Sequence, residues 1–187
     1  MTPALPVFLD RDGVINENLR DYVRSLSQWA PLPGVFEAMA RLCAAGHPLI
    51  VVTNQSGIAR GFLEEAELAK IHERMISMMH MAGGSFAGIE HCPHAPWDGC
   101  SCRKPETGMI DRARQRLSLP MRAGWIVGDA ETDMELGRRT GLKTVLVLTG
   151  RGRAQLDKIM RDGSAPPDFV REDLGSAADL ILGHESE

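Results

Sequence analysis

Short apolar stretches alternate along the chain with longer segments whose apolar residues recur at helical spacing. The short stretches are rich in β-branched and aromatic residues, and their near-continuous apolar character is typical of parallel strands that are covered on both faces of a sheet. We predict strands at Val7–Leu9, Leu49–Val52, Ile89 with its neighbours, Trp125–Val127 and Thr144–Leu148.

The segments between these stretches predict helices. Glu64–Met81 is the longest, and its acidic first turn suits the positive end of a helix dipole. The alternation of strand and helix predicts an α/β fold with a doubly wound, mostly parallel, Rossmann-like sheet, and we interpret residues 1–187 as one domain. The predicted helices are Gly34–Ala45, Glu64–Met81, Thr107–Leu117 and Glu131–Thr140.

The pattern weakens near the end of the chain. Arg151–Asp173 is polar and contains Gly163 and two prolines, so we predict a loosely held connection there. Asp168–Val170 and Ala177–Leu182 predict a last strand and a last helix.

Composition and charge narrow the classes of function. The net charge is −4 with no long basic run, which argues against a nucleic-acid partner. No stretch approaches the roughly 18 apolar residues of a membrane helix, and the first residues lack a basic leader. We therefore expect a cytoplasmic monomer without a membrane partner, in which the four cysteines are reduced.

Acidic residues follow two of the predicted strands. Asp10 and Asp12 come directly after the first strand, and Asp129 and Asp133 follow the strand that begins at Trp125. An isolated pair of this kind is often only a solvated turn. In doubly wound sheets, however, ligands bind beyond the carboxyl ends of the strands, where these carboxylates would repel one another. A bound Mg²⁺, which prefers carboxylate oxygens, would relieve the repulsion.

A second set of polar residues predicts a phosphate site at the same edge. Thr53 to Ser56 follow the second strand and offer a hydroxyl and free backbone N–H groups, although such residues also serve as helix caps. Lys104 offers a cation. Each signal is weak alone, but together they predict a site for phosphate and Mg²⁺.

The four motifs FLDRDGVIN, VVTNQSG, CRKP and VGDAETD resemble those of the haloacid dehalogenase superfamily of phosphotransferases. The resemblance covers residues 7 to 149. It implies a sheet of the haloacid dehalogenase type with a minimal cap, and a Mg²⁺-dependent phosphatase that forms an aspartyl phosphate.

The resemblance also implies residue roles. Asp10 is the expected nucleophile and a Mg²⁺ ligand. Asp12 is the expected general acid and base, with a pKa raised by the surrounding carboxylates and a backbone carbonyl that binds the metal. Thr53 and Lys104 are expected to hold the phosphoryl oxygens, and Asp129 to complete the Mg²⁺ site. The expected substrate-binding residues are Asn18, Tyr22, Asn54, Gln55, Ser56, Arg60 and Arg103.

A cluster of soft ligands lies between the second and third motifs. Cys92, His94, Cys100 and Cys102 form a Cys₃His set that is typical of closed structural zinc sites. A Cys100–Cys102 disulfide is the alternative, but it would be strained and is disfavoured in the cytosol. We predict that zinc shapes a loop of residues 92–102 and so positions the Arg103–Lys104 pair.

A zinc loop in this place resembles a subgroup that contains heptose bisphosphate 7-phosphatases and histidinol-phosphate phosphatases. The stretch VVTNQSGIARGFL and Asn16 resemble the heptose group, which implies a sugar phosphate substrate and a step in the synthesis of ADP-heptose for lipopolysaccharide. The compact zinc loop is also found in the histidinol group, and Ala130 stands where relatives often carry a longer polar side chain.

Two further alternatives belong to other classes of protein. DNA 3′-phosphatases share the DxDG and TNQ pattern, but the acidic charge and the zinc loop argue against that substrate. A non-catalytic zinc module would not need both Asp10 and Asp12.

Overall fold

A six-stranded, wholly parallel sheet forms the centre of the computed structural model, which describes residues 4–120 and 123–184. The order of the strands is β3-β2-β1-β4-β5-β6, so the predicted doubly wound α/β sheet is confirmed. All five predicted strands are present. The strands are β1 (Val7–Leu9), β2 (Leu49–Asn54), β3 (Gly88–Cys92), β4 (Trp125–Gly128), β5 (Lys143–Val147) and β6 (Phe169–Arg171).

Helices cover both faces of the sheet, and the four predicted ones are confirmed to within one residue at each end. A short 3₁₀ helix lies at Leu26–Gln28. The α-helices are α1 (Val35–Ala44), α2 (Glu65–Met81), α3 (Gly108–Leu117), α4 (Glu131–Thr140), α5 (Gly152–Asp162) and α6 (Leu174–His184).

The expectation of a loose connection over Arg151–Asp173 is wrong. This segment forms α5 and β6, because Ile159 packs in a small buried cluster with Met134 of α4 and Leu146 of β5. Gly163, at φ +68°, ends the helix in the left-handed conformation that glycine adopts without strain. The predicted last strand and last helix are present as β6 and α6.

Alternation along β1 divides the core between the two faces of the sheet. Val7 and Leu9 pack in one cluster with side chains of α1, α2 and α6, whereas Phe8 packs on the opposite face with those of α3 and α4. All three residues are fully buried. The packing fixes β1 between β2 and β4, so the carboxyl ends of these three strands open at one edge. In the part of the chain that the structure describes, no helix combines the length and the apolar character needed to cross a membrane.

Candidate active site

Three buried carboxylates meet where β1 and β4 end. Asp10 extends β1 by donating its backbone N–H to Val127, and Asp129 and Asp133 follow β4. An oxygen from each carboxylate lies within 4.8 Å of the others. Close approach requires Gly13, at φ +90°, because a Cβ there would lie only 2.0 Å from Asp129 Oδ2.

Lys104 is buried against this acidic cluster. Its Nζ lies 2.8 Å from Asp10 Oδ1 and 2.6 Å from Asp133 Oδ1. Asn54 fixes the lysine in place, because its side chain accepts from the Lys104 backbone N–H at 3.0 Å. Burial alone would lower the pKa of Lys104, but the charges of Asp10 and Asp133 outweigh it and raise the pKa. Lys104 is therefore held as a charged ammonium group.

The cluster has more negative than positive charge. Burial, followed by the repulsion from Asp133 and Asp129, raises the pKa of Asp10 to about 7, although the charge of Lys104 opposes the shift. Asp129 Oδ1 is buried without a hydrogen-bond donor among the described residues. The cluster therefore has more carboxylates than cations, and one of its carboxylate oxygens has no hydrogen-bond donor. Such a site fits a hard divalent cation such as Mg²⁺.

Asp12 turns away from the cluster and pairs with Arg11. Arg11 Nη2 donates to both oxygens of Asp12, at 2.9 and 3.0 Å, and the guanidinium is fully buried. Burial raises the pKa of Asp12, but the charge of Arg11 and the hydrogen bonds from Asn16 and Gln55 outweigh it, so the pKa is lowered. The expectation that neighbouring carboxylates raise this pKa is therefore wrong, because the sequence did not reveal that Arg11 would face Asp12.

A cleft of about 710 Å³ opens above the cluster. Of the residues predicted for catalysis or substrate binding, those that line it are Asp10, Asp12, Asn18, Tyr22, Thr53, Asn54, Ser56, Arg103 and Lys104.

Two predicted substrate-binding residues do not line the cleft. Gln55 is buried, and its Nε2 donates to Asp12 Oδ2 at 2.9 Å and to Thr53 Oγ1 at 2.8 Å, so it positions these two side chains. Arg60 is exposed and stacks on Trp97 of the 92–102 loop, with its guanidinium carbon 4.7 Å from the ring centroid. Their positions in the sequence predicted that both residues lie near the site, but not which way their side chains point.

The loop after β1 covers one side of the cleft. Asn18 Nδ2 donates to Asp129 Oδ2 at 3.0 Å, which connects this loop to the acidic cluster. The Tyr22 hydroxyl lies 3.3 Å from Ser56 Oγ, which connects it to the end of β2. Tyr22 adopts φ +69°, an unusual conformation for a non-glycine residue.

Sequence reasoning missed three polar residues that line the cleft: Thr132, Arg151 and Gln155. Arg151 follows β5, so the rule that ligands bind beyond strand ends, applied to the predicted fifth strand, would have identified it. Arg20 lies between Asn18 and Tyr22, two residues that were predicted to bind substrate, and it lines the cleft with them.

The four predicted zinc ligands meet at one point. Cys92 Sγ lies 3.2 Å from Cys102 Sγ and 3.7 Å from Cys100 Sγ, and His94 Nδ1 lies 3.3 Å from Cys102 Sγ. Four ligands at the usual zinc bond lengths of roughly 2.0–2.3 Å would form a tetrahedron with edges of about 3.3–3.8 Å. All the cysteines are free thiols, so the cluster fits zinc and not the alternative disulfide.

Comparisons with known proteins agree with this geometry. A family model described as HAD-hydrolase-like matches residues 101–177. The D-glycero-beta-D-manno-heptose-1,7-bisphosphate 7-phosphatase of Pseudomonas aeruginosa is 40% identical over 176 residues, which cover 94% of this chain and 97% of that protein. The protein of the same name from Neisseria meningitidis is 41% identical over 152 residues, or 81% of each chain.

A solved structure is similar in fold as well as in sequence. It is the D,D-heptose 1,7-bisphosphate phosphatase of Bordetella bronchiseptica, complexed with magnesium and phosphate. Its TM-score is 0.89 at 36% identity, and the match covers 96% of this chain and 99% of that chain.

Proposed function

Because this chain belongs to the family of D-glycero-beta-D-manno-heptose-1,7-bisphosphate 7-phosphatases, we propose that it removes the 7-phosphate of heptose bisphosphate. The reaction is a step in making the ADP-heptose precursor of lipopolysaccharide. The observation that carries the proposal is the site itself: Asp10, Lys104 and Asp129 lie at one sheet edge in a chain that matches these relatives over nearly its whole length.

Mg²⁺ would be held by the carboxylates of Asp10 and Asp129 and by the backbone carbonyl of Asp12. When bound, it supplies positive charge that offsets the repulsion between the Asp10 carboxylate and the substrate phosphate. Lys104 and Thr53 bind the phosphoryl oxygens and orient phosphorus toward Asp10.

The chemistry needs two steps. In the first, the Asp10 carboxylate attacks phosphorus and forms an acyl phosphate, while the bond from phosphorus to the C7 oxygen breaks and Asp12 gives its proton to that oxygen. In the second, Asp12 takes a proton from water, the water oxygen bonds to phosphorus, and the Asp10 carboxylate leaves. A phosphate dianion beside Asp12 raises the pKa of its carboxyl group, which opposes the effect of Arg11.

The charge of the cleft favours a bisphosphate over histidinol phosphate. Apart from Asp10 and Asp12, no carboxylate lines the cleft in the part of the chain that the structure describes, whereas Arg20 and Arg103 do. Arginine binds phosphate bidentately, and the amine of histidinol phosphate would require a carboxylate. The relatives also support the heptose substrate over histidinol phosphate, a DNA 3′-phosphate or a non-catalytic zinc module.

A panel of substrates tests this proposal. We expect kcat/KM to be highest for heptose 1,7-bisphosphate, when phosphate release is measured for it, fructose 1,6-bisphosphate, histidinol phosphate and a 3′-phosphorylated oligonucleotide. Protein with Asp10→Asn, purified in parallel, controls for contaminating phosphatases. A higher kcat/KM for histidinol phosphate would reject the heptose assignment.

Replacement of Asp12 by asparagine tests the acid and base. We expect kcat to fall by about 10²-fold or more, the usual contribution of general acid–base catalysis. Mg²⁺ affinity should change little, because the proposed metal contact of Asp12 is its backbone carbonyl. Metal titration of kcat separates the two effects, and thermal unfolding must be followed as well, because the variant leaves the buried Arg11 guanidinium without its carboxylate. A normal kcat at saturating Mg²⁺, together with a large loss of Mg²⁺ affinity, would contradict these roles.

We propose that zinc, held by Cys92, His94, Cys100 and Cys102, is structural. Four protein ligands leave no open position for a reacting water. Hydrogen bonds connect the loop to the site: Arg103 Nη1 donates to His94 O at 3.3 Å, and Ala59 donates to Pro93 O at 3.2 Å.

A further inference from the structure

Arg151 brings a second cation to the acidic cluster. It follows β5 and directly precedes α5, and its backbone N–H donates to Asp129 Oδ2 at 2.9 Å. Its Nη2 lies 3.5 Å from Asp129 Oδ1, although 59% of its side chain is exposed. The backbone is therefore fixed at the carboxylate, while the guanidinium is free to reach other partners in the cleft.

The charges of the cluster give this guanidinium a defined role. Lys104 pairs with Asp10 and Asp133, and in the described part of the chain Arg151 is the cation recorded beside Asp129. Arginine stays protonated in proteins, so this guanidinium is a permanent positive charge beside the carboxylate that would also bind a metal ion.

We propose that Arg151 is a substrate-binding residue that contacts the reacting phosphate and competes with Mg²⁺ for Asp129. This inference rests on the proposed phosphatase function. Two cations directed at one carboxylate repel each other, so the Arg151 guanidinium would leave Asp129 when Mg²⁺ is bound there. The long, half-exposed side chain can then turn to the phosphate, whose oxygens match its paired N–H donors.

The balance of charge at the acidic cluster favours such a cation. Asp10, Asp129 and Asp133 carry three negative charges, which Lys104 and one Mg²⁺ neutralise. A phosphate dianion then adds two uncompensated negative charges. The guanidinium of Arg151 can offset one of these charges, but only after it has left Asp129. Binding of Mg²⁺ would therefore favour binding of phosphate.

The test uses Mg²⁺ alone and inorganic phosphate as probes of the whole protein. For Arg151→Ala, titration calorimetry should show Mg²⁺ binding about threefold tighter, because a competing partly exposed cation is lost. Phosphate binding at saturating Mg²⁺ should weaken about tenfold, the usual effect of losing a charge-assisted hydrogen bond. Because alanine keeps the backbone N–H, the hydrogen bond to Asp129 Oδ2 remains.

Arg153→Ala is the matched control. Arg153 lies two residues further along the chain, is 72% exposed and pairs with Glu172, so neither affinity should change. Mg²⁺ affinity that is unchanged or weaker in Arg151→Ala, or phosphate affinity that is unchanged, would overturn the inference. Neither probe contains heptose, so a wild-type protein that binds both probes but does not hydrolyse heptose bisphosphate would reject only the proposed substrate.

Discussion

Asp10→Asn is expected to abolish turnover, lowering kcat by at least about 10³-fold, as the loss of a covalent nucleophile does in other enzymes. The amide has the shape of the carboxylate but cannot attack phosphorus, and it is a poor ligand for Mg²⁺. The neighbouring carboxylates are engaged elsewhere: Asp133 is in contact with Lys104 and does not line the cleft, and Asp12 is paired with Arg11. Single-turnover phosphate release at high enzyme concentration is the sensitive measurement.

The variant should also be more stable than the wild type in EDTA above neutral pH. In the wild type, folding raises the pKa of Asp10 from 3.8 to about 7, so the folded state binds a proton more tightly than the unfolded chain. The resulting stabilisation is complete below pH 4 and is lost as pH rises to 7. Asparagine carries no charge, so its advantage should grow between pH 4 and 7, by an amount on the order of 2–4 kcal/mol.

Thermal unfolding from pH 4 to 8 measures this difference, and saturating Mg²⁺ should reduce it because the metal stabilises the ionised carboxylate. Glu90→Gln is a suitable control, because Glu90 pairs with Arg112 and Arg116 on the surface, outside the cleft. Appreciable turnover by folded Asp10→Asn protein would reject the covalent mechanism. A stability difference that does not depend on pH would mean that burial and the neighbouring carboxylates do not raise the pKa of Asp10 in the folded protein.

The sheet and the backbone of the site could be predicted because their signals are local. Each strand could be predicted from a run of apolar residues. In a parallel sheet the carboxyl ends of the strands lie at one edge, so the residues that follow these runs lie at that edge as well. Asp10, Thr53 and Asp129 therefore meet whatever the side-chain packing is. Helix α5 was missed because its buried contact, Ile159, packs on residues of α4 and β5 that are distant in sequence.

The directions of charged side chains could not be predicted in the same way. Arg11 stands between the two motif aspartates, and only the packed structure shows that its guanidinium is buried against Asp12. This contact reverses the expected direction of the Asp12 pKa shift. Gln55 shows the same limit, because its position after β2 is compatible either with the cleft or with the buried hydrogen bonds that it makes.

Cys102→Ser is expected to have the second large effect, by removing zinc from the 92–102 loop. The thiol lies 3.2 Å from Cys92 Sγ and 3.3 Å from His94 Nδ1, at the centre of the ligand cluster. Serine is a weak zinc ligand, and a structural zinc site contributes several kcal/mol to folding. The loop has few apolar residues to hold it without the metal.

Loss of zinc should impair substrate positioning more than Mg²⁺ binding. Lys104 lies two residues from Cys102, and the loop backbone orients Arg103 through His94, so a loosened loop displaces both cations. Asp10 and Asp129 lie at the ends of β1 and β4, outside the loop. We therefore expect KM to rise by about tenfold or more, as the loss of one charge-assisted phosphate contact predicts, while the Mg²⁺ dependence remains near that of the wild type.

Cys43→Ser is the matched control for this experiment, because Cys43 lies on α1 away from the cluster and its thiol donates to Ser85 O at 3.3 Å. Elemental analysis should find about one zinc per chain in the wild type and in Cys43→Ser, and none in Cys102→Ser. Added Mg²⁺ should not rescue Cys102→Ser, and zinc should not replace Mg²⁺ in metal-stripped wild type. A closed zinc site cannot activate water, so turnover with zinc as the only metal would refute the structural role. Full activity of a protein that contains no zinc would refute it as well.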